Sequence, residues 1–262
     1  MIANIKIQLV TFNKYRNLLK KLVIRDIKVR YRKSFLGLTW TVLNPLLMML
    51  ILNLVFSQLF ENDIKNFPVY VMIGNIVFNF NSEATTQALA SMLGNASLIK
   101  KVYIPKYLFP LSKVLSCMVN LGFSLIALIL VMIFTKAEFY LTLIAIIIPL
   151  IYLLMFTIGL SLILASVNVY FRDIGHLYSV LITAWMYLTP LFYSINIIPA
   201  NIRKIILWNP MYHFVTYFRM LIMYGKMPNI EQNITCALIG ICTLIIGTLI
   251  FKKLQNRFIL YI

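Results

Sequence analysis

Five polar residues, Asn75, Asn79, Ser82, Glu83 and Thr86, recur at helical spacing inside an otherwise apolar run. At about 100° per residue they share one face of a helix. Glu83 is the one acid set deep within such a run. A carboxylate there is costly unless it faces a bundle interior or a watery cavity. Two uses fit these residues. They can form the polar wall of a path, with Glu83 steering hydroxyls or basic partners. They can equally tie helices together by hydrogen bonds, with Glu83 neutral or paired. A proton relay fits poorly, because no second acid or histidine lies at a matching depth. A second set is aromatic: Tyr187, Phe192 and Tyr193 fall at the end of a later apolar run. Their flat faces suit the C–H faces of sugar rings, and they would also serve in core or lipid packing.

Covalent chemistry finds no support. His176 and His213 are isolated, and Cys117, Cys236 and Cys242 sit in apolar runs without CxxC spacing. They read as small packing residues, with no metal or redox duty. Gly225-Lys226 lacks the upstream glycine and the following Ser or Thr of a phosphate loop, and GxxxxGK[ST] occurs nowhere. ATP hydrolysis by that route is excluded. If transport is powered, the motor is a separate chain. We therefore assign no catalytic residue, no metal ligand and no cofactor to this chain.

The elements that must position these side chains are membrane helices. Of 262 residues, 61% are hydrophobic and 12% charged, far from the balance of a soluble domain. The net charge of +17 could suggest nucleic acid, but the basic residues border apolar runs instead of forming a patch, which argues against that partner. Six runs are long enough to cross a hydrocarbon core: Trp40–Phe60, Phe67–Leu93, Leu108–Phe134, Tyr140–Val169, Leu177–Tyr193 and Ile234–Phe251. Tyr140–Val169 is longer than needed and is expected to tilt, bend at Pro149 or extend into the cytoplasm. With the N-terminus inside, eighteen of the 24 Lys and Arg residues fall on the inner side, so both termini are expected in the cytoplasm. A long polar start before Trp40 reads as no cleavable signal peptide.

Residues 1–38 then form a cytoplasmic N-terminal region and 39–262 a membrane domain. On a helix, Lys14, Lys21, Arg25, Lys28 and Arg32 make one basic stripe beside an apolar face of Tyr15, Leu18, Leu19, Leu22, Val23 and Ile27. Such a helix can lie in the headgroup boundary and reach lipid phosphates. Leu98–Pro105 and Asn168–Leu177 are short inner connections mixing basic and apolar residues, suited either to a soluble partner or to anchoring in the interface. Ser194–Ile230 is too long for a turn and too apolar for a solvated loop. It holds two pieces, Pro199–Trp208 and Pro210–Tyr224, with Asn209 as N-cap before a first-turn proline. We expect a re-entrant hairpin here, bordering a pathway.

Several of these stretches together, RDIKVRYRKSFLGLTWTVLNPLLMM, LIKKVYIPKYLFPLS, NVYFRDI, LTPLFYS and WNPMYHFVTYFR, resemble the ABC-2 type permeases of bacterial polysaccharide export, the O-antigen and teichoic acid exporters. The resemblance covers almost the whole chain in the same order. It implies an all-α homodimeric permease in the bacterial plasma membrane, paired with two copies of a separate ATPase subunit that holds ATP and Mg. The cargo implied is a lipid-linked glycan. It also implies that Arg25, Asp26, Arg30 and Arg32 on the N-terminal helix, and Leu98, Lys100, Lys101, Tyr103, Arg172 and Asp173 on the inner connections, contact the ATPase or lipid headgroups. The expected channel lining is Asn75, Asn79, Ser82, Glu83, Thr86, Tyr187, Phe192 and Tyr193. No fused carbohydrate-recognition domain is expected. The rivals are an ABC-2 exporter of drugs or small lipids, an ion-coupled carrier, which needs more intramembrane charge, and a membrane enzyme of lipid-linked sugar assembly, which needs a clustered acid or histidine set.

Overall fold

A computed structural model describes residues 2–32, 34, 36–60, 64–102 and 104–261. The described residues form helices and connecting turns, with no strand among them. The helices are α1 (Ile2–Tyr31), α2 (Trp40–Phe60), α3 (Phe67–Gly94), α4 (Ala96–Lys101), α5 (Leu108–Phe134), α6 (Ile147–Tyr170), α7 (Ile174–Tyr187), α8 (Ala200–Leu207), α9 (Pro210–Ile222), α10 (Ile230–Leu254) and α11 (Phe258–Tyr261). Four stretches are long and apolar enough to cross a membrane by length and composition: Trp40–Ser57, Leu108–Phe134, Leu141–Tyr170 and Ile230–Tyr261.

Helix α3 is the axis of the fold. Its residues Val69–Phe78 are buried on every side, and it packs against α2, α5, α6, α7 and α9. A helix enclosed this way needs no solvent-facing stripe, so its polar residues must find partners in the protein. Thr157 of α6 donates to Asn81 Oδ1 at 3.1 Å, Asn168 of α6 to the Leu89 carbonyl at 2.9 Å, and the Thr85 and Tyr178 hydroxyls meet at 2.6 Å.

Helices α6 and α10 pack more closely than side chains allow. A Cβ on Gly159 would collide with the Thr243 backbone, and one on Gly247 with the backbone of Gly159. Without a hydrophobic drive between helices in lipid, such close backbone approach is how association gains dispersion energy. The long run preceding Val169 does not stay one helix. It begins as a 3-10 stretch, Leu141–Ile146, and becomes α6 just before Pro149, whose missing N–H costs nothing in a first turn.

The expected span Leu177–Tyr193 is interrupted. Helix α7 ends at Tyr187 because Pro190 pushes the residue before it out of the helical region. Its 14 residues rise only about 21 Å. Asn209 holds this end. Its side chain accepts from the Met211 N–H (3.0 Å) and from Trp185 Nε1 (2.6 Å), and donates to Thr189 Oγ1 (2.8 Å) and the Leu188 carbonyl (3.2 Å). The N-cap read from Asn209-Pro210 is therefore formed, and it also fastens α7 to α9. Helix α9 is inserted into the core, whereas α8 leaves Ile202, Ile205, Leu207 and Trp208 exposed.

Candidate functional site

Pro45 and Trp40 of α2, the first half of α3 and the middle of α5 enclose a half-open groove of about 550 Å³. Four carboxamides from three helices line it, Asn44, Asn75, Asn79 and Asn120, with Thr41, Ser124, Glu83 and Arg30. At one end Arg30, the last but one residue of α1, pairs with Glu83 at 2.6 Å, and Gln87 adds a hydrogen bond to the same carboxylate at 3.2 Å. Arg30 also approaches Cys117 Sγ at 3.9 Å. The Glu83 side chain remains 45% exposed. The acid of α3 is thus a paired group at a groove mouth. Farther in, Asn75 is 9% exposed, and its amide nitrogen has no hydrogen-bond partner among the described residues. Such an atom sets an unmet demand of about 1–3 kcal/mol. Of the polar face expected on α3, the groove takes Asn75, Asn79 and Glu83; Ser82 and Thr86 are not among its lining residues.

Tyr187, Phe192 and Tyr193 come together where α7 gives way to the Leu188–Ser194 segment. Phe192 packs edge-on against both tyrosines, with centroids 6.2 and 5.7 Å apart, and stacks on Phe56 of α2 at 5.1 Å. The Tyr193 hydroxyl donates to the Tyr187 carbonyl at 2.6 Å and Tyr70 donates to the Tyr193 carbonyl at 3.0 Å. Phe192 is buried and Tyr187 is exposed.

Arg219 of α9 was hidden from the sequence, where it counted as an outer basic residue. It is 4% exposed. Its guanidinium donates to the Pro190 carbonyl (2.8 Å), the Leu191 carbonyl (2.8 Å) and the Tyr70 carbonyl (3.2 Å), and lies 3.4 Å from the Tyr70 ring centroid. The broken end of α7 leaves carbonyls that no helix satisfies, and Arg219 supplies their donors. Gly74 makes room, since a Cβ there would sit 2.9 Å from Arg219 Nη2 and 3.2 Å from the Leu191 backbone. The signal available in sequence was a single Arg within the apolar face of a short helix.

At the opposite end, α1 lies on α5 through Leu19 and Leu22, both buried, and leaves Lys14, Lys21, Arg25, Lys28 and Arg32 exposed. The apolar stripe therefore docks on protein. Asp26 fixes this contact through Lys113 of α5 at 2.9 Å and its neighbour Arg25 at 3.1 Å, and Arg25 reaches Asn95 at 3.3 Å. Lys113 was another residue the sequence left unassigned. Leu98 packs inward, whereas Lys100, Lys101, Arg172 and Asp173 are exposed. Tyr103 lies outside the described residues.

Residues 17–223 match the model of the ABC-2 type transporter family. The chain is 34% identical over 245 residues to an O-antigen export system permease protein of Klebsiella pneumoniae, covering 92% of this chain and 93% of that protein. It is 32% identical over 247 residues to the O-antigen export system permease protein of Myxococcus xanthus, covering 93% and 95%. A polysialic acid transport protein of Escherichia coli is 22% identical over 242 residues, covering 90% and 92%. With a family match running from the N-terminal helix through α9, and relatives aligned over nearly their full lengths, the chain belongs to the ABC-2 type transporter membrane family.

Proposed function

We propose that this chain is the permease subunit of an ATP-driven exporter that carries lipid-linked surface polysaccharide outward across a bacterial plasma membrane. The observation that carries the reading is the groove, lined by four carboxamides, a carboxylate and a guanidinium. A drug or small-lipid path would call for apolar walls; hydroxyl-rich cargo calls for groups that both donate and accept. The similarity to O-antigen permeases over nearly the full length, at 32% and 34% identity, supports the same choice.

In this reading α2, α3, α5, the Leu141–Tyr170 run, α7 with its broken end, and α10 make six crossings, both termini face the cytoplasm, and α8–α9 re-enter from the outer side. Two copies pair, each gripping one copy of a separate ATPase that binds ATP and Mg. Closure of the ATPase presses on α1, on Leu98–Pro105 and on Tyr170–Ile174. The Asp26–Lys113 and Arg30–Glu83 contacts pass that displacement to α5 and α3. The groove widens and the sugars thread past the amides toward Tyr187, Phe192 and Tyr193. No covalent step takes place on this chain.

The test is reconstitution of the chain with an ABC ATPase subunit from the same cells, in vesicles loaded with a lipid-linked glycan extracted from those cells. ATP-dependent appearance of glycan at the far face supports the reading. Export without the ATPase, or transport of a hydrophobic dye in place of glycan, overturns it.

A further inference from the structure

Beyond α10 the chain turns through the 3-10 stretch Gln255–Arg257 into α11. This short segment packs inward, and Phe258 is 0% exposed. It sits in a second apolar cluster with Met92 of α3, Ile99 of α4, Phe109 of α5, Val169 of α6 and Phe251 of α10. Two polar contacts close the cluster. Lys106, in the connection between α4 and α5, donates to the Gln255 carbonyl at 2.6 Å, and the Tyr170 hydroxyl at the end of α6 donates to the Leu254 carbonyl at 2.9 Å. The Tyr170 ring also packs on Tyr261 and Phe258, with centroids 4.7 and 6.0 Å apart. Burial pushes the Lys106 ammonium below the ordinary lysine range, in keeping with a group held in place more than with a solvated one.

We infer that Gln255–Tyr261 is a yoke: it joins the Leu98–Pro105 connection and the Tyr170–Ile174 turn, far apart in sequence, into one rigid body. Phe258 is its positioning residue. The two connections are those on which, in the reading above, the ATPase pushes; this inference rests on that reading for its role in transport, but not for its mechanics. A stroke delivered to either connection is thereby shared, and α3, α5, α6 and α10 start from one displaced plate. Apolar Val102 and Phe171 stay exposed beside it, where a soluble partner can bear on both.

The test uses full-length permease in lipid nanodiscs for amide hydrogen exchange, and the permease–ATPase complex for ATP turnover and glycan export. Phe258→Ala should raise exchange in both connections together and lower export per ATP by about fivefold or more, a coupling loss of ordinary size, while ATP turnover persists. Phe258→Leu should restore all three, and Tyr170→Phe should loosen only the turn after α6. Faster exchange confined to residues beyond α10, or export per ATP unchanged in Phe258→Ala, overturns the yoke. If the wild-type complex exports no glycan, the proposed function fails, while the exchange data still decide the mechanical claim.

Discussion

Arg30 and Glu83, 53 positions apart in the chain, meet at 2.6 Å where α1 ends and the groove begins. The pair joins the N-terminal helix α1 to the polar face of the central helix. Both side chains keep substantial solvent contact, 24% and 45%, so the pair adds at most about 0–1 kcal/mol to stability. Glu83→Gln and Arg30→Gln should therefore leave thermal unfolding nearly unchanged and lower export per ATP by about fivefold or more. The exchanged pair, Arg30→Glu with Glu83→Arg, should recover part of it. Transport and unfolding measured on the same preparations decide the matter; equal losses in both would reduce the pair to a structural tie.

Asn75→Leu separates stability from function. The wild-type amide nitrogen is buried with no partner among the described residues, so replacing it by an apolar group of similar size removes a cost of about 1–3 kcal/mol. The variant should unfold at the same or a higher temperature and export less. A lower unfolding temperature with normal export would place Asn75 in packing alone.

Arg219→Met leaves the carbonyls of Pro190 and Leu191 without this donor, while the Tyr70 carbonyl keeps its place in the α3 ladder. A loss of about 1–3 kcal/mol per unsatisfied buried group should appear as poor yield and early unfolding in detergent. Arg219→Lys should be intermediate, because an ammonium cannot fork to as many acceptors. Gly74→Ala should reproduce the defect more weakly. Proteolysis between α7 and α8 is the direct readout of whether that segment has come loose.

Reversal of charge at Lys100 and Lys101, both exposed on α4, should leave fold and membrane insertion intact. ATP turnover should continue with little export. Normal glycan export at normal expression would remove these lysines from the coupling surface.

Gly159→Val must separate α6 from α10, since the Thr243 backbone occupies the space of a Cβ. Overpacking of this kind costs roughly 1–3 kcal/mol or more. Loss of folded protein on gel filtration is the expected outcome, and a Gly247→Val chain should fail in the same way.

Much of the fold could be read from hydropathy. The boundaries of α2 and α5 are those of the apolar runs, because charge and turn residues end each one, and the Asn209-Pro210 signature placed the start of α9. The end of α7 was also legible. The rule that proline disfavours helix in the residue before it applies at Thr189-Pro190, and apolar content alone extended the run past that point. The groove and the role of Arg219 were less accessible. Helical arithmetic puts Asn75, Asn79, Ser82, Glu83 and Thr86 on one face, but α2 and α5 decide which part of that face borders open space. Ser82 falls just to one side of the groove-lining arc of α3, and Thr86 lies beyond Glu83, its last lining residue on that helix. Glu83 finds its partner through tertiary packing of a distant helix. Arg219 escaped because counting basic residues by side of the membrane treats each as solvated, and its ligands are carbonyls, which any sequence supplies.

The contact between Gly159 and Gly247 limits how this machine can move. Two rods whose backbones touch have no slack between them, and prising them apart would expose bare peptide to lipid. Any widening of a passage must leave α6 and α10 as a single stave. The parting has to occur along other seams of the bundle.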